Sequence, residues 1–280
     1  MAINFVDSIG VARQDACNCS HYGIPLQPFP RMGASLFWWT TGVIGGIAGD
    51  DIMNADWTTI QLFQRLLSHA EPAARLDVAE ALGAAARDTI WRRNQPCWPA
   101  TGEGRVGCVL TGTVRKYAIR ANGQRQIVDL LMPGDFIGLA PLDPSFSIEA
   151  VSDGTRIAVF RPEQLAALLE DYPAIAGLIR DRAADAIRRL ENHLLVQGRT
   201  MASEKVGGYL VSMCQRVQRD RNDAMVLPVS RYDIADHLGL AVETVSRAMT
   251  ALKRGGMIAL RSPRHVEIRD AGMMADSEVY

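Results

Sequence analysis

Apolar residues recur every three or four positions along several stretches of the chain, and in another they fall into short runs bounded by turn residues. These patterns predict where helices and strands lie. Trp57, Ile60, Phe63, Leu66 and Leu67 form a helical stripe between Asp56 and Ala70, with Pro72 beyond its end, and a second helix is expected from Ala74 to Arg87. From Thr89 to Phe160 the pattern shortens to strands. Cys108–Leu110, Val114–Ile119 and Gln126–Leu131 are separated by Thr111-Gly112 and by Asn122-Gly123, a strong hairpin dipeptide, and Pro133-Gly134-Asp135 opens a further turn. Regularly spaced strands of this kind predict a small β-roll. Pro162–Leu169 reads as a short helix. A long one follows from Pro173 to about Gln197, with a seam of Ile175, Leu178, Ile179, Ala183, Ala186, Ile187, Leu190 and Leu194. Glu204–Gln218 is a further helix, with Val206, Leu210, Met213, Cys214 and Val217 inward, and Asp220–Asp223 is a polar turn.

Ser230 to Gly256 carries the most specific pattern. Ser230 caps a first short helix, Asp233 completes a capping box, Ile234 and Leu238 lie one turn apart on the inner face, and Gly239 stops it. Val242, Val245, Met249 and Leu252 form the buried stripe of a second helix, which leaves Glu243, Ser246 and Arg247 together on the opposite face. Such a pair either packs with its polar face solvated or presents its second helix to the major groove of DNA. In the groove an Arg fork takes two acceptors on a guanine edge, and a carboxylate accepts from a cytosine amino group. Gly255-Gly256 ends the second helix. Ile258–Leu260 and Val266–Ile268 then flank Arg261-Ser262-Pro263-Arg264-His265 as a two-stranded wing. Candidate phosphate contacts are Ser230, Arg231, Thr244, Arg261, Arg264 and His265.

Composition adds a bound and an asymmetry. A chain of 280 residues, 48% hydrophobic and 22% charged, is globular and long enough for two modest domains. Its net charge of −1 conceals 12 Lys and Arg against 8 Asp and Glu from Arg199 to Asp270, so that region is basic and the remainder acidic. Five cysteines, with no secretory signal before them, argue against a disulfide framework, and the chain reads as cytoplasmic. Met32–Gly49 is uncharged but broken by glycines, which makes it a poor membrane span, and no membrane partner is expected. Cys17, Cys19 and His21 alternate, so an extended leader places them on one face as a candidate metal or haem handle, with incidental thiols as the alternative. No nucleophile–base pair, phosphate loop or complete metal set marks an enzyme.

Asp233-Ile234-Ala235-Asp236-His237-Leu238-Gly239-Leu240 followed by Glu243-Thr244-Val245-Ser246-Arg247 closely resembles the recognition motif of the Crp/Fnr superfamily of bacterial transcription regulators, and Glu-Thr-Val-Ser-Arg resembles its FNR/FixK-like branch. The resemblance extends over about residues 75 to 270, because Gly107–Tyr117, Asn122–Ile127 and Pro133–Gly138 resemble the family's effector roll. It implies an α+β fold with an N-terminal cyclic-nucleotide-binding-like β-roll, a long dimerisation helix and a C-terminal winged helix-turn-helix. The domains expected are an extension over 1–72, the roll over 73–170, the dimer helix over 171–198, the DNA-binding domain over 199–270 and a tail over 271–280. On the dimer helix the resemblance places Ile175, Ile179, Ala183, Ala186, Leu190 and Leu194 at the partner.

The implied function is regulation of transcription by a homodimer on double-stranded DNA with palindromic TTGAT-like half-sites, in concert with RNA polymerase, at genes of oxygen limitation or nitrogen metabolism. Glu243, Ser246 and Arg247 read bases in this scheme. Two departures from the family bear on the signal. Cyclic-nucleotide-binding members hold the phosphate with an Arg in the roll, but no Lys or Arg occurs here between Arg125 and Arg156. Oxygen-sensing members hold an iron–sulfur cluster on four cysteines, and this leader has two, one residue apart. No cofactor is therefore expected, with a nucleotide-, haem- or iron–sulfur-gated regulator as the alternative.

Overall fold

The computed structural model describes residues 57–67, 71–98, 104–140, 143–217 and 224–271. Cys17, Cys19, His21, the apolar stretch 32–49 and the polar turn 220–223 lie outside the described residues. Two helices come first, α1 (Trp57–Leu66) and α2 (Pro72–Ala85). Pro72, expected as the stop of one helix, is the first residue of the next, where its missing N–H costs nothing. The helix expected to reach Arg87 ends at Ala85. Arg87–Trp91 is instead strand β1, because its backbone pairs antiparallel with Thr155–Phe160 (β7) from Arg87↔Val159 to Trp91↔Thr155. Tertiary pairing overrides the local helical pattern here.

The remaining strands of the roll are β2 (Val106–Thr111), β3 (Val114–Ile119), β4 (Arg125–Leu131), β5 (Phe136–Ile137) and β6 (Phe146–Ala150). They form one sheet in the order β1-β7-β2-β5 and another in the order β4-β3-β6. Val109 and Ile157 from the first sheet and Val114, Leu131 and Ile148 from the second share a buried cluster, which holds the roll together. The β3–β4 hairpin turns where expected: Arg120 N–H donates to the Gln124 carbonyl, and Gly123 supplies φ +79°. Ile60, Phe63 and Leu67 of the α1 segment are buried against Cys108, Ala158 and Phe160, with the Phe63 and Phe160 rings 6.1 Å apart. The helix assigned to an extension thus belongs to the core of the roll. Gly134, at φ +94°, lets the turn after β4 meet α1, since a Cβ there would lie 2.9 Å from Leu66 Cδ2.

After α3 (Pro162–Asp171) comes α4 (Pro173–Gly198), 26 residues and so about 39 Å long. Its seam changes sides along its length. Ile175 is 1% exposed and packs with Leu178 and Ile179 on its own roll, so it is not at a free face, a correction to the partner-facing assignment. Further along, Ile187, Leu190, Leu194 and Leu195 are exposed, Leu194 by 70%. The C-terminal part comprises α5 (Ala202–Cys214), β8 (Met225–Val226), α6 (Arg231–Leu238), α7 (Val242–Arg254), β9 (Ile258–Leu260) and β10 (His265–Ile268). The wing has three strands, β8-β10-β9, where two were expected, because Met225–Val226 pairs with the outer edge of β10. Ile127, Leu130, Met132 and Val151 of the roll enter the same buried cluster as Leu210, Ile234, Leu238, Val245 and Met249. One apolar core therefore joins the roll to the helix-turn-helix.

Candidate nucleic-acid interface

The helix pair forms as its punctuation dictates. Ser230 Oγ accepts from the Asp233 N–H at 3.2 Å, and the Asp233 carboxylate accepts from the Ser230 N–H at 3.1 Å, so two donors at the start of α6 are satisfied. Gly239 closes the helix in the left-handed region at φ +64°, and Leu240 N–H reaches back to the Ala235 carbonyl at 3.0 Å. On α7, Val245, Ala248, Met249 and Leu252 are buried, whereas Glu243, Arg247 and Thr250 are exposed and Ser246 is half-buried. The structure thus brings the three candidate base readers onto one accessible face, beside a concavity lined by Ser246, Arg247, Thr250, Ala251 and Arg254.

Local contacts hold this face in order. Arg247 donates to Thr244 Oγ1 at 3.3 Å, and Arg231, from the start of α6, donates to Ser246 Oγ at 3.3 Å. Ser230 is committed to its cap. In the wing Arg261 pairs with Glu267 at 3.1 Å, Ser262 and His265 share a 2.7 Å hydrogen bond, and Arg264 is exposed. An accessible helix with an Arg fork and a carboxylate near its N-terminus has the shape and donors that a major groove accepts.

The groups that tie this helix pair to the roll are not legible in the sequence pattern. Arg115 on β3 is buried and donates to Asp233 Oδ1 at 2.7 Å, to Glu149 Oε2 at 2.7 and 3.1 Å, and to Asn94 Oδ1 at 2.9 Å. Arg125 pairs with Asp233 at 3.2 Å and with Asp236 at 2.7 Å, and the Tyr117 hydroxyl donates to Glu149. Burial opposes ionisation of Asp233. The Ser230 hydrogen bonds, with Arg115 and Arg125, outweigh it and hold its carboxyl below the usual range. A second cluster centres on Asp135, which accepts from Arg189 of α4 at 2.9 Å and from Arg216 just beyond α5 at 2.5 Å. At the other end of α6, His237 Nδ1 lies 3.1 Å from the Ile127 carbonyl. A carbonyl only accepts, so that nitrogen carries the proton. The His237 ring stacks on His193 at 4.0 Å, and its backbone carbonyl accepts from Gln126 and Gln197. Alternation along β3 and β4 was the available signal, but it does not name a partner more than a hundred residues away.

Two of the three thiols among the described residues are of a different kind. Burial pushes Cys97 up to about 12 and raises Cys108 as well, so both are core groups. No cluster of three or more His, Cys, Asp or Glu among the described residues is arranged to hold a metal ion.

Known proteins resemble the chain over both halves. A Crp-like helix-turn-helix domain matches residues 204–276, and a cyclic nucleotide-binding domain matches residues 85–172. The nitrogen fixation regulation protein FixK of Rhizobium meliloti is 38% identical over 161 residues, covering 57% of this chain and 72% of the relative. The transcriptional activator protein FnrL of Cereibacter sphaeroides is 33% identical over 172 residues, covering 59% of this chain and 69% of FnrL. The structure of FixK2 from Bradyrhizobium japonicum superposes with a TM-score of 0.60 at 30% identity, over 70% of this chain and 98% of that one. No Lys or Arg lies between Arg125 and Arg156, and Arg115 and Arg125 are both engaged by carboxylates. With an accessible recognition helix on a roll of this topology, the chain belongs to the Crp/Fnr superfamily, in its FixK-like branch, and is a DNA-binding transcription regulator.

Proposed function

We propose that the protein acts as a homodimer on palindromic DNA, with Glu243, Ser246 and Arg247 reading bases and Arg231, Thr244, Arg261, Arg264 and His265 lying nearest the phosphates. The observation that carries this reading is the pair of faces left open: the polar face of α7, and the apolar stripe of Ile187, Leu190 and Leu194 on α4. Ile187 is 58% exposed, and a helix about 39 Å long with such a stripe is suited to pack against its own copy. Two-fold symmetry then sets two recognition helices about 34 Å apart, one turn of B-DNA. The half-sites are TTGAT-like by resemblance. By the same resemblance the controlled genes are those of oxygen limitation or nitrogen metabolism and RNA polymerase is the partner; that FixK is a nitrogen fixation regulation protein and FnrL a transcriptional activator supports nitrogen control and activation. The protein carries out no catalytic step, works in the cytoplasm and needs no cofactor in the roll. Among the described residues no helix is long and apolar enough to cross a membrane.

Selection of bound duplexes from random DNA by the purified protein, with sedimentation of the free protein, tests this reading. An enriched palindrome with half-sites about ten base pairs apart and a dimeric mass are expected. A monomer that enriches a single asymmetric site refutes it. Titration calorimetry with cyclic AMP and cyclic GMP, expected to show no heat of binding, separates it from a nucleotide-gated regulator, and an absorption spectrum of protein purified without oxygen separates it from a haem or iron–sulfur protein.

A further inference from the structure

The helix pair that reads DNA is fastened to the roll at both ends of α6. At its start a single carboxylate serves two purposes. Asp233 Oδ2 caps α6 through the Ser230 N–H and hydroxyl, while Oδ1 accepts Arg115 and Arg125 from the β3–β4 hairpin. At its end the His237 ring and carbonyl are bound by Ile127 and Gln126 of the same hairpin. The orientation of α6 fixes that of α7, because Ile234, Leu238, Val245 and Met249 share one core and Arg231 spans to Ser246.

Arg115 is the centre of this fastening. Its guanidinium joins three separate pieces of the chain: β6 through Glu149, the loop after β1 through Asn94, and α6 through Asp233. Asn94 is the non-glycine residue with positive φ, +60°, among the described residues, so the loop is held in a sparsely populated conformation at the point where it meets Arg115. A buried ion pair is weak evidence for stability, since packed apolar groups serve as well. A planar fork with directed donors does fix orientation, which apolar contact does not.

We infer that Arg115 is a positioning residue for DNA recognition: through Asp233 it sets the angle of the recognition helix relative to the roll and dimer helix, and so the half-site spacing that the protein accepts. The arrangement leaves Glu243, Arg247 and Thr250 exposed, so the fastening presets the reading face and does not cover it. The inference rests on the homodimer reading above. A dimer whose two recognition helices are held rigidly to one frame discriminates spacing, because one added base pair moves a half-site by about 3.4 Å and rotates it by about 35°.

The test is fluorescence anisotropy with the full-length protein on the selected palindrome, on versions lengthened or shortened by one base pair, and on a single half-site. Wild type is expected to prefer the cognate spacing by at least tenfold. In Arg115→Gln, affinity for the cognate palindrome should fall at least tenfold and the spacing preference should collapse towards one, while affinity for the single half-site stays within about threefold. Arg125→Gln, at a more exposed member of the cluster, should move the same ratio in the same direction by less, and it provides the reading if Arg115→Gln does not fold. Arg115→Lys keeps the charge but not the fork and should restore only part of the preference. Unchanged spacing preference in both glutamine variants, or single-site affinity falling in parallel with the palindrome, overturns the inference. A wild-type protein indifferent to spacing but tight on a single site overturns the dimer reading itself, and the inference with it.

Discussion

His237 makes folding depend on pH, and the dependence can be worked from its surroundings. His237 is 8% exposed, and its ring lies where the roll, α4 and the helix-turn-helix meet. Burial first, then the facing His193, pushes it down to about 3, with Arg216 acting in the same direction and the Ile127 carbonyl and Asp129 opposing. The unfolded chain takes up this proton near pH 6.5, whereas the folded chain refuses it until about pH 3. The unfolded state therefore binds more protons across that window, and stability is complete above pH 6.5 and lost as pH falls. From pH 7 to pH 5 the loss is about 2 kcal/mol, at 1.36 kcal/mol per unit below 6.5. His193, lowered by burial, adds in the same sense. Urea unfolding followed by circular dichroism at pH 7, 6 and 5 should show this loss in the wild type. His237→Gln should be less stable at pH 7, having lost the stacked ring, yet show a clearly shallower slope. A wild-type stability that is flat from pH 7 to pH 5, or an equal slope in His237→Gln, refutes the argument.

Arg247→Ala should lose about 1–3 kcal/mol at one base pair of the half-site and relax specificity there, whereas Arg264→Ala should weaken cognate and scrambled duplexes alike and lower the salt dependence; titrations on both duplexes at two salt concentrations distinguish them. On the proposed dimer, Leu194→Ala should weaken association by about 2 kcal/mol per protomer, roughly a thousandfold for the pair, as read by sedimentation equilibrium. Phe63→Ala should cost about 3–5 kcal/mol of stability, because the ring is fully buried against Phe160; a change below 1 kcal/mol in a urea melt would return α1 to the status of an appendage.

What was legible in the chain is what short-range chemistry encodes. Ser230, Asp233 and Gly239 specify where α6 starts and stops, Asn122-Gly123 specifies a hairpin, and the 3.6-residue period of Val245, Met249 and Leu252 assigns the opposite face of α7 to Glu243, Ser246 and Arg247. Each of these depends on groups within a few residues of one another. What the tertiary structure decided depends on groups far apart in sequence. Strand β1 exists because β7 is there to pair with it, α1 is core because Phe160 meets Phe63, and Ile175 faces inward while Leu194, on the same seam, does not. The ionic fastening of the helix-turn-helix is the clearest case. Asp233 already had a local role as a cap, and only the fold shows that its second oxygen accepts an arginine 118 residues earlier in the chain. A periodic pattern states which face of an element is buried, but the partner on that face is chosen by the packing of the whole chain.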